Sequence, residues 1–190
     1  MADYKLCIPV ILRAEGELSD DPADAGGITK WGVCLRFAKD TKNLELFDKD
    51  GDGDIDRNDI KKLTIEDATE AFKKYFWNKF DLDNEPSNKK ALVIFDIAVN
   101  HGNGSAASMI QKSLANLGFN IALDGIVGPQ TKKALHEANA EAFCEQILQI
   151  REKFYYRIVE RKPSQKVFLR GWLNRIKNLK KALADLPSED

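Results

Sequence analysis

Long apolar runs are missing from this chain. Its longest uninterrupted stretches, Leu6 to Leu12 counting Pro9 and Ala91 to Phe95, are seven and five residues, whereas crossing a bilayer takes about 20. Length alone excludes a membrane span. Cysteine is also scarce: Cys7, Cys34 and Cys144 are odd in number and far apart. That pattern suits scattered core thiols made in a reducing compartment and argues against a disulfide framework or a zinc cluster. The first residues lack the basic cluster of a secretory signal. Met1-Ala2-Asp3-Tyr4-Lys5 carries one acid and one Lys, and the apolar run after it contains Pro9 and leads into Arg13 and Glu15. No cleavable signal is expected. Net charge is nearly absent, −1 from 29 Lys+Arg and 30 Asp+Glu over 190 residues, and no nucleic-acid partner is expected.

What is present is a hydrophobic fraction of 43%, enough for one sizeable core or two small ones, and a charge balance that is uneven along the chain. Six aspartates (48, 50, 52, 54, 56 and 59) face only Lys49 and Arg57 in the segment from Asp48 to Asp59. From Glu145 to Lys181, eleven Lys and Arg stand against three Glu. One region is built for cations and the other for polyanions.

Between a few clusters of Gly and Pro, apolar residues recur every three or four positions, as in Leu63, Ala68, Ala71, Phe72 and Phe76. The fold is expected to be mainly α. A first helix is predicted over about 4–14, a turn-rich loop or short hairpin over 19–27, and renewed helix near Val33. Thr64-Ile65-Glu66-Asp67 reads as a capping box opening a helix to about Lys79. The polar run 81–90, with Pro86, is the linker candidate. Helices follow over about 91–100, 106–117, 130–138, 140–161 and 165–184, with Pro163 breaking the last two apart. This suggests a catalytic segment 1–84 and a helical segment 85–190, packed as one globule.

Asp48, Asp50, Asp52, Asp56 and Asp59 occupy positions 1, 3, 5, 9 and 12 of a loop with Gly53 at position 6 and Ile55 at position 8, the ligand order of an EF-hand. Ca²⁺ needs six or more oxygens, and so short a loop supplies them only if Gly53 takes the sharp turn. Asp54, at position 7, is expected to contribute its backbone carbonyl, and Ile55 to face the core. Asp59 stands where Glu is usual, a shorter arm for bidentate ligation. A lone hand lacks the pairing of a sensor domain, so a structural clamp is the expected role. A solvated acidic turn is the bland alternative.

Glu15 ends an apolar helix nine residues before Asp24, with Thr29 and Trp31-Gly32 following. Glycosidic hydrolysis needs a proton donor on the leaving oxygen and usually a second carboxylate across the sugar. A partly desolvated Glu at a helix end suits the first task, because burial raises its pKa, and a loop Asp suits the second. The same spacing also fits plain surface charges around a loop. Glu, Asp and Thr in this order are similar to the catalytic arrangement of phage-type lysozymes, with the Asp-to-Thr interval one residue shorter.

The string from Ala14 to Val33, AEGELSDDPADAGGITKWGV, resembles the opening of the family 108 glycoside hydrolases, the N-acetylmuramidases of phage endolysins and bacterial secretion-associated lysins. Glu17 and Ala25 depart from the family's Gly and Pro; Glu15 matches its catalytic Glu. Further on, Phe95-Asp96-Ile97-Ala98-Val99-Asn100-His101-Gly102, Gln111, the run 124–131 (DGIVGPQT) and the run 163–175 (PSQKVFLRGWLNR) resemble the predicted peptidoglycan domain that accompanies this hydrolase. The Asp48–Asp59 loop is an insertion outside that pattern.

The resemblance implies a lysozyme-like helical fold and cleavage of the β-1,4 bond between N-acetylmuramic acid and N-acetylglucosamine. It implies Glu15 as general acid, Asp24 assisting water or the oxocarbenium ion, and Thr29 positioning that water. It further implies accumulation in a bacterial host's cytoplasm and release to the periplasm and wall once a holin opens the membrane. Trp31, Asn100 and His101 are candidates for the saccharide groove, although core packing for the Trp and helix capping for Asn100 are the plainer readings. The basic C-terminal region either forms a solvated face or touches the anionic envelope. Peptidoglycan is the expected partner, Ca²⁺ the expected cofactor and a monomer the expected state. The competing readings are a lytic transglycosylase, a non-catalytic wall-binding module and a calcium-responsive adaptor.

Overall fold

The computed structural model describes residues 1–15, 18, 19 and 27–187, with the side chains at 15, 18 and 19 excepted. Its fold is mainly α and lysozyme-like. Two compact units divide the chain: Ile8–Phe76 forms one, and Met1–Cys7 with Trp77–Asp190 the other. No helix among the described residues is long and apolar enough to cross a membrane.

Helix α1 (Tyr4–Glu15) opens the chain, with Pro9 inside it. In the smaller unit, three two-residue strands, β1 (Leu18–Ser19), β2 (Thr29–Lys30) and β3 (Val33–Cys34), form one antiparallel sheet in sequence order. Thr29 pairs with Ser19 on one side and Cys34 on the other. Helix was expected near Val33, but Val33 and Cys34 close the hairpin first. Helix α2 (Leu35–Thr41) then starts with the Cys34 thiol accepting the Phe37 amide.

After α3 (Leu44–Phe47) comes the aspartate loop, then α4 (Arg57–Lys62) and α5 (Ile65–Phe72). The capping box at Thr64 forms as its sequence predicts: Thr64 Oγ1 accepts the Asp67 amide at 3.2 Å, and the Asp67 carboxylate accepts the Thr64 amide at 2.8 Å. Regular winding ends at Phe72 rather than near Lys79. A wider π turn takes Lys73–Trp77 and a 3₁₀ turn Asn78–Phe80. The extra residue shifts the helical phase, and Phe72 and Phe76 are buried in the smaller unit while Trp77 is buried in the larger. Phe37 is the centre of the smaller unit's aromatic cluster, with ring centroids 5.3 Å from Phe76, 5.5 Å from Tyr75 and 6.1 Å from Phe47.

The larger unit is built around α6 (Asn88–His101), whose residues 90–98 are all buried. A helix apolar over its whole circumference must be surrounded. Helices α7 (Asn103–Asn116), α9 (Ala140–Arg161) and α10 (Lys166–Asp185) pack against it. Trp77 is wedged edge-on between Tyr4 and Phe95, with centroids at 5.1 and 5.4 Å. The polar run 81–90, read above as a linker, is folded into this unit. Glu85 and Lys90 form a buried ion pair at 2.9 Å, and the Lys90 ammonium also reaches the carbonyls of Leu135 and Ala138 at the end of α8 (Pro129–Glu137). There a cation meets the negative end of the helix dipole. Polar composition suggested solvent; pairing made burial affordable.

Candidate active site and aspartate loop

The first catalytic candidate, Glu15, is the last residue of α1. Its side chain, and the whole of Asp24, lie outside the described residues. Thr29 sits on the central strand β2, half-buried, with its hydroxyl donating to the Gly27 carbonyl at 3.3 Å. Trp31 and Gly32 make the two-residue turn from β2 to β3, at φ 51° and 82°. Such tight hairpins require positive φ at both turn positions. Glycine supplies it freely, but a tryptophan there is strained. The half-buried Trp31 is therefore held in place by the hairpin rather than by its own preference.

In the aspartate loop, Gly51 and Gly53 both adopt positive φ, 76° and 94°, and Ile55 is buried. Asp48 folds the loop around its carboxylate, accepting the amides of Gly51 at 2.6 Å and Gly53 at 2.9 Å. The six aspartates fall into two sets, Asp48/Asp50/Asp52 and Asp54/Asp56/Asp59. Within each set, one carboxylate oxygen per residue lies within 4.8 Å of the others. This all-oxygen donor set suits a hard cation such as Ca²⁺. Asp54 is pushed up in pKa by desolvation and by the charges of Asp52 and Asp56, the behaviour of carboxylates crowded without enough positive charge.

Asp59 is different. It is fully buried, and its carboxylate accepts the amides of Lys49 (2.6 Å), Asp50 (3.2 Å) and Asp56 (2.6 Å). Burial pushes its pKa up, but the three amides outweigh that and hold it below the usual value. The short side chain at position 12 thus ties the two ends of the loop together through the backbone. Two lysines also touch this region: Lys62 pairs with Asp50 at 3.0 Å, and Lys49 with Asp67 at 2.9 Å.

The remaining candidates, Asn100 and His101, belong to the larger unit. There they join a buried polar network that sequence reasoning missed. Asp96, 1% exposed, accepts from Arg151 and, at 2.8 and 3.1 Å, from Arg175. Arg151, fully buried, also donates to His101 Nε2 (3.1 Å), Tyr155 Oη (3.0 Å) and Asn100 Oδ1 (3.0 Å). The Tyr155 hydroxyl donates to the same Asn100 oxygen at 2.9 Å. Burial, with Arg151 beside it, drives the His101 pKa down to about 3, so its imidazole is neutral and its Nε2 is free to accept. Both residues thus face Arg151 through their acceptor atoms. The available signal was an acid inside the apolar run 91–99, since an Asp at such a position needs buried cations.

With this geometry in place, comparison with known proteins gives a consistent answer. Residues 8–102 match the glycosyl hydrolase 108 family, and residues 105–177 match the family described as a predicted peptidoglycan domain. Among solved structures, SagA of Brucella abortus is similar in fold, with a TM-score of 0.73 and 24% identity over 95% of this chain and 94% of that one. No curated protein matches. The first match spans half of the chain, from within α1 through the hairpin and the aspartate loop to the end of α6. The chain belongs to the glycosyl hydrolase 108 family and is a glycoside hydrolase that acts on peptidoglycan.

Proposed function

We propose that the enzyme is an N-acetylmuramidase of the endolysin type, hydrolysing the β-1,4 bond between N-acetylmuramic acid and N-acetylglucosamine, with Glu15 as general acid. The observation that carries this reading is the placement of Glu15 at the C-terminal end of α1, directly before the three-stranded hairpin region, inside the segment that matches the hydrolase family. Asp24 steadies positive charge or directs water, and Thr29 positions that water from the central strand. The strained Trp31 turn supports a sugar-stacking role for its indole, since strain retained at a hairpin tip is a common mark of a working residue. Mass spectrometry of digested sacculi, wild type against Glu15→Gln, tests the reading. Muropeptides with reducing ends and their loss in the variant are expected. Anhydro-muropeptides would instead identify a lytic transglycosylase, and equal products from both proteins would remove Glu15 from the mechanism.

The loop from Asp48 to Asp59 is proposed to hold Ca²⁺ through the carboxylates of Asp48, Asp50, Asp52, Asp56 and Asp59 and the backbone carbonyl of Asp54. Bound there, the ion neutralises crowded negative charge and fixes the loop between α3 and α4. Because cytoplasmic calcium is scarce and external calcium plentiful, the site gives the enzyme added stability after release from the host cytoplasm to the wall.

A further inference from the structure

The larger unit holds a groove that the hydrolase chemistry does not use. It lies between the outer edges of α7 and α9, has a volume of about 450 Å³, and is lined among others by Ser105, Ser108 and Lys112 from one helix and Lys153, Phe154 and Arg157 from the other. The spacings 105, 108, 112 and 153, 154, 157 put each set on one helical face. No acid lines the groove. Among the described residues, none of its three cations has an ion-pair partner, and neither serine hydroxyl has a hydrogen-bond partner. The two buried cations among the unit's described residues, Arg151 and Lys90, are both paired.

Phe154 on the groove wall is not loose. Its ring meets the neutral His101 imidazole edge-on, 5.3 Å between centroids, and Arg151 holds that imidazole. The buried network thereby fixes an aromatic face in a groove that also carries Met109 and Ile150 and has Lys112 on one wall and Lys153 and Arg157 on the other. One side is bordered by the turn at 124–126, because a Cβ added to Gly125 would lie 3.8 Å from Ser108 Oγ. Gln111 pins that turn by donating to Asp124 at 2.7 Å and accepting the Gly125 amide at 2.7 Å. The turn leaves Leu123 and Ile126 exposed at 60% and 68%. Cations on both walls, hydroxyls, a fixed aromatic ring and apolar tips together suit a ligand with several carboxylates and small apolar side chains.

Resting on the reading of peptidoglycan as substrate, we propose that this groove binds the carboxylate-bearing peptide stem of the wall polymer and so docks the enzyme on peptide-substituted strands. The volume accommodates a short peptide but not a folded partner. Its three unpaired cations face the carboxylates of the stem, the serines its amides, and Phe154 with the Ile126 tip its methyl groups.

The test uses the full chain and calorimetric titration with two probes: the N-acetylglucosaminyl–N-acetylmuramic acid disaccharide carrying a tetrapeptide, and the same disaccharide without peptide. Neither contains the scissile bond, so binding is read apart from hydrolysis. Wild type should prefer the peptide-bearing probe. The Lys112→Gln/Lys153→Gln/Arg157→Gln variant should lose that preference by about tenfold or more, as charge-assisted contacts disappear, with peptide-free binding unchanged. Phe154→Ala, with helicity checked by circular dichroism, should weaken the same probe alone. Equal affinity of wild type for both probes overturns the proposal, as does equal loss on both. Binding of phosphatidylglycerol vesicles that the triple variant abolishes, without a peptide preference, would also overturn it and assign the groove to lipid. If sacculi yield no products while the peptide preference stands, only the muramidase reading fails.

Discussion

Replacing Asp96 with Ala tests how the larger unit is held together. The carboxylate is buried between two arginines, and Arg151 is itself fully inaccessible to solvent. Without Asp96, the Arg151 guanidinium keeps its bonds to Asn100, His101 and Tyr155 but has no anion to balance its charge. Breaking a buried pair from one side costs about 3–5 kcal/mol. At roughly 2–4 °C per kcal/mol for a chain of this size, the melting temperature should fall by about 6–20 °C, measured by differential scanning calorimetry at pH 7. Asp96→Leu/Arg151→Met should recover most of the loss, because replacing both charges removes the unpaired one, and Arg175, 13% exposed, can turn toward water.

The pH dependence follows from the same residue. Burial raises the Asp96 pKa, but Arg151 and Arg175 overcome it and hold the group below the ordinary value. Its contribution is therefore complete above the usual carboxylate range, near pH 4, and is lost as pH falls through the lowered pKa. A drop of under about 3 °C for Asp96→Ala, or a double variant no more stable than the single, would refute the argument that charge pairing is what stabilises this core.

Three further variants have defined outcomes. His101 stays neutral in the fold to about pH 3 but is protonated below about 6.5 when unfolded, so it should make the fold lose several kcal/mol as pH drops across that interval, at ~1.4 kcal/mol per unit. Urea titrations from pH 7 to 4 should show a shallower decline in His101→Gln, which can still accept from Arg151; parallel curves would refute it. In the aspartate loop, Asp50→Ala should leave the calcium-free melting temperature nearly unchanged but abolish the upward shift given by millimolar Ca²⁺, about 2.7 kcal/mol when calcium exceeds its Kd a hundredfold. Asp59→Ala should lower the melting temperature even with chelator, since three amides lose their acceptor. No calcium shift in the wild type would remove the ion from this loop.

The amino-acid order by itself determined the features written in local contacts. The helical period, the Thr64 capping box, the Gly53 turn with Ile55 directed inward, and the family signature around Glu15 depend on neighbours a few residues apart, and a linear string records such neighbours directly. Local patterning also set the bounds of the first helix and of the helices after residue 88 to within a few positions, because caps and prolines act where they stand.

Only the tertiary structure decided which charges are buried. Arg151 and Arg175 read as part of a solvated basic face, yet both converge on Asp96 from positions 55 and 79 residues away. Glu85 and Lys90 sit in a polar run that looks like a linker, until folding brings the end of α8 over them. Asn100 and His101 likewise face Arg151, a partner 51 and 50 residues distant. A charge enters a core only if folding delivers its counterion there, and that partnership is a property of three-dimensional packing that no spacing along the chain encodes.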